Sequence, residues 1–243
     1  MIYSDTTLAL DGIIQSEEQL CLLGNGGISS NSTLLKQFTN LNNRAYHEVW
    51  MAYLSVDRNN RADDYNYTDL PDAPITMVVS QANYSLPVAV TSANISTFLR
   101  LKGVYFLLNG NRQYLTPMDS LESLSTVAGE PTQYYINGKS IIFNCPFSAD
   151  TLTKYSSIFH VEFQRVPDAF LSSDTTQQAG FMETYHDLIP LKASAIYLLP
   201  TNPQLANQYE QRFINRLELF KRDVAKMDDN RNMAISPKLT PWI

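Results

Sequence analysis

The sequence predicts an α+β protein: a helical bundle of about three main helices into which an antiparallel β-sandwich or barrel is inserted. Three observations carry that expectation. Apolar residues recur at three- and four-residue steps between Leu34 and Tyr53, and again from Tyr185 to Met227. Between these two stretches the period changes to two, with Gly, Pro and Asn at short intervals. No solenoid-type repeat is visible that would explain the alternation otherwise.

Residues 1–31 carry Asp5, Asp11, Glu17 and Glu18 and no Lys or Arg, and they read as an acidic N-terminal arm. Their apolar residues Leu8, Leu10, Ile13, Ile14, Leu20, Leu22 and Leu23 need cover, on a neighbouring copy or another protein. Residues 32–73 form the first helix and loop of the helical domain. Leu34, Leu35, Phe38, Leu41, Ala45, Val49, Ala52 and Tyr53 make one stripe of a helix over about 33–56, with Asn31 and Ser32 suited to cap it. The Asp/Asn-rich run from Asp57 to Pro74 is too polar to fill a core and reads as a loop.

Residues 74–171 form the inserted β-domain, with about six or seven strands. Phe159, Val161 and Phe163 alternate with His160, Glu162 and Gln164, the pattern of a half-buried antiparallel strand. Asn109-Gly110 and Asn137-Gly138 accept the positive φ of tight hairpins. Met118–Val127 has the spacing of a short helical turn, stopped by Gly129-Glu130-Pro131. Residues 172–228 return to helical spacing. The first stripe contains Pro190 as a first-turn residue or a kink. The second runs through Leu205, Tyr209, Phe213, Leu217, Phe220, Val224 and Met227, with Glu218 and Arg222 as an outer i,i+4 pair. Residues 229–243 form an aperiodic tail with Pro237 and Pro241 that still keeps Leu239, Trp242 and Ile243, so it reads as a docking segment.

Composition narrows function. A net charge of −6 disfavours a protein whose task is to clamp phosphates. Residues 205–243 hold seven Lys/Arg against five Asp/Glu, so the two ends of the chain have opposite charge. No basic-then-apolar leader and no run of about 18 apolar residues occurs, which predicts neither a signal peptide nor a membrane span. Cys21 and Cys145 lack CxxC spacing and read as buried free thiols of a reducing compartment.

The motifs that would carry catalysis fail on inspection. Gly138-Lys139-Ser140 resembles the end of a phosphate loop, but Gln133 stands where its first glycine belongs. His47-Glu48 would need a second histidine at Met51 to hold zinc. The calcium-loop start at Asp57 meets Arg61, Ala62 and Thr68 where an oxygen ligand, glycine and glutamate are required. Asp63, Asp64, Asp69 and Asp72 could pair as acid and base, although a solvated loop is the plainer reading. His47, His160 and His186 are far apart, and no G-x-S-x-G elbow exists. The expectation is no enzyme, with no catalytic residue, metal or cofactor.

The order of several weak motifs is more informative than any one of them. They begin with Leu34-Leu35, Leu41-Asn42 and Ala45-Tyr46-His47-Glu48-Val49, then Tyr114-Leu115-Thr116-Pro117 and Gly129-Glu130-Pro131. Tyr134-Tyr135-Ile136-Asn137-Gly138, Ile141-Ile142-Phe143 with Pro146, and the helix pair from Asp187-Leu188-Ile189 to Val224 follow. Over about residues 32–228 this resembles the head-to-tail adaptor (neck or connector) proteins of tailed bacteriophages, in particular the tail tubular protein A type of short-tailed phages. The resemblance implies a structural virion protein that forms a ring, typically of twelve copies, beneath the portal, connecting capsid to tail and lining the DNA channel. Its partners would be other copies of itself, the portal protein, and the tail tube, nozzle or other tail proteins, with genomic DNA passing through unbound and no membrane involved. It would sit in the virion neck, after assembly in the host cytoplasm from a monomer. The portal-docking residues expected are Pro237, Lys238, Leu239, Pro241, Trp242 and Ile243. The alternative expectation is a carbohydrate- or protein-binding β-module of a phage tail or fibre, with Tyr65, Tyr67, Tyr84, Tyr105, Tyr134 and Tyr135 as stacking platforms.

Overall fold

The period switch read from the sequence corresponds to a division of the chain into two units: residues 1–68 with 167–243, which are helical, and residues 69–166, which are β. The computed structural model describes all residues except 6, 8, 58–62, 68, 87–97, 121–123, 139 and 233–243, and only the backbone of 227–232. Within these the protein is an α+β fold of five α-helices, a short 3-10 turn and eight strands.

The helical unit is built on α2 (Ser32–Val56), α4 (Leu188–Leu198) and α5 (Pro203–Asn232). The Asn31 side chain caps α2 by accepting from the Thr33 and Leu34 amides. Phe38, Ala45, Val49 and Trp50 on α2, Leu188, Ile189 and Ala193 on α4, and Phe213 and Phe220 on α5 are buried. Lys192 on α4 reaches Glu48 of α2 at 3.2 Å and Glu210 of α5 at 2.7 Å, so one ammonium links the three helices. Pro190 falls in the first turn of α4, where its missing N–H takes nothing from the helix. On the outside of α5, Glu218 pairs with Lys221 at 2.8 Å, and Arg222 approaches Asp223 at 3.8 Å rather than Glu218. A three-residue step brings a lysine within reach before the four-residue partner.

The N-terminal 31 residues are part of this unit rather than an arm. They contain a helix absent from the sequence reading, α1 (Ile13–Leu20), which packs mainly on α4. Tyr3, Ile13 and Ile14 are fully buried, and Tyr3 stacks on Phe170 with centroids 4.6 Å apart. Burial within one chain supplies the cover those apolar residues need, although Leu22 stays 83% exposed and Leu8 lies outside the described residues. Asp5, Glu17 and Glu18 are buried as well, so only Asp11 of the four acids presents charge at the surface.

The β unit is a two-sheet sandwich. One sheet has the order β1 (Asp72–Thr76), β8 (Ile158–Arg165), β3 (Phe98–Leu108), β4 (Asn111–Tyr114). The other runs β2 (Asn83–Ser85), β7 (Ser140–Phe143), β6 (Gln133–Asn137), β5 (Thr116–Pro117). All pairings are antiparallel except β5 with β6. Both sheets turn aromatic residues into one core in which Tyr84, Phe143 and Phe159, with Phe147 from the loop after β7, meet edge to face at 4.8–5.9 Å, while Phe147 and Phe159 stack at 6.0 Å. The Asn109-Gly110 hairpin has φ of 51° and 79°, the geometry of a type I′ turn. Gly138 turns the β6–β7 hairpin with φ 57°.

β8 departs from strict alternation at its end, where Gln164 and Arg165 are both buried. Arg100 donates to Gln164, and Arg165 donates to the Asp69 carboxylate at 2.8 Å and its carbonyl at 2.7 Å. A short helix, α3 (Ala149–Lys154), precedes β8, with Ser148 as its cap. The described residues of Met118–Val127 are not helical. The observed division places the start of the β unit before 74 and its end before 171, because β1 begins at Asp72 and residues 167–180 pack on α2. Among the described residues no helix is long and apolar enough to cross a membrane.

Candidate functional site

The acidic loop offers the sharpest chemistry, and its four carboxylates are divided between the two units. Asp63 and Asp64 belong to the helical unit, Asp69 and Asp72 to the β unit. Asp64 is 1% exposed and accepts from the Tyr46 hydroxyl, from the Asn66 amide and side chain at 2.9 Å, and from the Asp168 amide at 2.8 Å. Gly180 lies so close that an added Cβ would overlap the Asp64 carboxylate, and its N–H donates to the Tyr46 oxygen. Burial beside this carboxylate drives the Tyr46 hydroxyl far above the ordinary tyrosine range, and burial with Asp64 nearby raises Asp168. Asp64 is thus a hub that joins loop 63–67 and loop 167–180 to α2.

Asp69 pairs with Arg165. Asp72 accepts from the Tyr105 hydroxyl at 2.7 Å and lies 3.0 Å from His160 Nδ1. Around it His160 stacks on the Tyr105 ring at 4.9 Å, the Arg112 guanidinium covers that ring at 4.8 Å, and Tyr114 donates to Glu162 at 2.9 Å. Gly103 makes room for the Tyr114 ring, 3.3 Å from where a Cβ would stand. These are cross-strand partners of β4, β3 and β8 in register, so the ladder serves the sheet.

The histidines are divided in the same way, His47 and His186 in the helical unit and His160 in the β unit. His47 is exposed on α2, while His186 is buried with Nε2 2.9 Å from the Phe181 carbonyl, and burial lowers its pKa. Among the described residues no group of three His, Cys, Asp or Glu is placed to hold a metal ion. Cys21 and Cys145 are free and buried, and burial pushes the Cys21 thiol up to about 11, away from nucleophilic use. Of the six tyrosines considered as sugar platforms, Tyr84, Tyr105 and Tyr134 are at most 7% exposed and belong to the packed interior. Lys139 of the phosphate-loop resemblance and Arg58–Ala62 of the calcium-loop resemblance lie outside the described residues, as do Pro237, Lys238, Leu239, Pro241, Trp242 and Ile243.

What the helical unit does offer is an open groove of about 670 Å³ between α1, α4 and α5. Leu20, Pro190, Leu191, Tyr209 and Leu219 give it apolar walls, and Arg212 and Arg216 line it together with Asp187. Arg216 is held in place by Asp187 at 3.1 Å, by the Thr184 carbonyl and by the Tyr185 ring at 4.6 Å. Such a mixed, shallow surface suits contact with a polypeptide better than enclosure of a small molecule. No family model and no curated protein matches the chain.

Proposed function

We propose that this chain is a structural virion protein, a head-to-tail adaptor whose copies form a ring beneath the portal and join capsid to tail. The observation that supports the reading most is the division of the chain: a helical unit assembled from both sequence ends and interrupted by a β-sandwich. That is the order in which the resembling segments follow one another. A ring of this kind uses heterologous contacts between unlike faces of each copy, and twelve is the number the resemblance brings. The net charge of −6 suits a wall past which duplex slides without being held. Portal contact is assigned to Pro237, Lys238, Leu239, Pro241, Trp242 and Ile243, where an aromatic anchor can order on binding.

The test is deletion of residues 236–243. The shortened chain keeps the circular dichroism and melting temperature of the parent and fails to co-purify with the portal protein of the same genome. Undiminished co-purification overturns the assignment of the tail.

A further inference from the structure

Beneath α1 the helical unit buries a group of polar side chains that the adaptor reading does not use. Glu17 is 0% exposed, and its Oε2 accepts from Asn42 Nδ2 on α2 at 3.3 Å. Its other oxygen, Oε1, has no hydrogen-bond partner, and neither has Asn42 Oδ1. Both orphaned atoms belong to one carboxyl–carboxamide pair. With Glu17 ionised, both are acceptors and nothing links them. A proton on Oε1 turns that atom into the kind of donor that Asn42 Oδ1 lacks, while Nδ2–H continues to donate to Oε2.

The surroundings favour that proton. The ionisable groups bearing on Glu17 are Tyr3 from the N-terminal segment and Glu18 and Cys21 from α1 and its end, none of them a cation. α2 contributes the neutral Thr39 and Asn42, and α4 the neutral, buried Ser194 beside Cys21. Burial without a counter-charge raises the Glu17 pKa well above the ordinary value. Glu18, one residue on, has the opposite environment: it accepts from the Gly26, Ile28 and Ser29 amides and the Ser29 hydroxyl at 2.8–3.0 Å, and is lowered.

Beyond its buried apolar residues, the segment is joined to the rest of the unit by a handful of polar contacts, among them the Met1 amine with Glu183 at 3.0 Å. Ile2 and Tyr3 pair with the 177–178 backbone, Tyr3 donates to Thr39 at 2.7 Å, and Tyr209 donates to the Leu20 carbonyl at 3.1 Å. α2, α4 and α5 also pack directly on one another. We propose that residues 1–31 are a releasable clasp on the helical unit and that the Glu17 carboxyl is its pH-sensitive catch, holding the clasp shut while protonated and driving it open once ionised.

Hydrogen exchange of the full chain between pH 5 and 8, corrected for intrinsic rates, tests this. Protection of the Ile13–Leu20 amides falls by up to about tenfold per pH unit, the slope of one linked proton. Amides of α4 and of Ala206–Phe220 in α5 keep theirs. In Glu17→Gln the amide reproduces the protonated pair, so protection stays high and flat. The infrared band of a protonated carboxyl group, present in the parent at pH 6, disappears in that variant. A flat profile in the parent, an unchanged slope in Glu17→Gln, or loss of α4 protection in step with α1 overturns the clasp. Should Glu17→Gln not fold, the parent's own profile and infrared band decide.

Discussion

Single buried carboxylates hold the helical unit together at its loops, and each predicts a response. Gly180 has no room for a methyl group, since its Cβ would stand 1.6 Å from Asp64 Oδ1. Gly180→Ala therefore destabilises the protein by at least ~1–3 kcal/mol, read as a lower urea midpoint at unchanged slope. Acid titration separates the N-terminal acids. Hydrogen bonds from Thr7 and Asp11 bring Asp5 down from 3.8 to about 2, so its contribution is complete above pH 3.8 and is lost as pH falls toward 2. Glu18 has the same sign. Glu17 has the reverse sign: its contribution is complete below 4.5 and is lost as pH rises through its raised folded pKa. The melting temperature against pH is thus expected to peak in mildly acidic solution and to decline on both sides. None of these hubs was legible beforehand. Asp64 resembled any solvated aspartate of a polar loop, and only tertiary structure brings Tyr46, Asp168 and Gly180 around it.

Elements were legible where one face is apolar and the other polar. α2 and α5 announced themselves by their stripes, and the Asn109-Gly110 turn by two residues that tolerate positive φ. Gly110→Val puts a β-branched residue at φ 79° and is expected to lower the stability of the β unit by about 1–2 kcal/mol, measured by denaturant unfolding followed in the near-ultraviolet. Phe159→Ala, which removes the ring shared by Tyr84, Phe143 and Phe147, is expected to cost about 3–5 kcal/mol by the same measurement. α1 escaped because it is only eight residues long and its buried face includes Gln15, Glu17 and Glu18, residues that polarity alone assigns to the surface. The end of β8 escaped for a related reason: Gln164 and Arg165 are buried through partners on other strands and loops, which no local pattern records.

For the molecule as a whole, the informative feature is that the β unit begins and ends at one place. Arg165, with its side chain fully buried, grips the side chain and carbonyl of Asp69, and the Phe163 amide donates to the Pro71 carbonyl at 3.0 Å. An insert whose ends are side by side disturbs its host little, which is why the helical stripes on either side of it could be recognised as one bundle from sequence. Residues 69–166 expressed alone are expected to unfold cooperatively, and Arg165→Ala in that fragment to lose about 1–3 kcal/mol through the packing and hydrogen bonds of a fully buried side chain, Asp69 itself being half exposed. The adaptor reading concerns this two-unit chain in many copies, and light scattering on a sizing column addresses it directly, with the protein alone and mixed with the portal of the same genome. A head-to-tail adaptor is expected to run as a monomer near 27.5 kDa alone and to move into the portal peak at about one copy per portal subunit. A protein that stays apart from the portal, or that forms a trimer on its own, would contradict it.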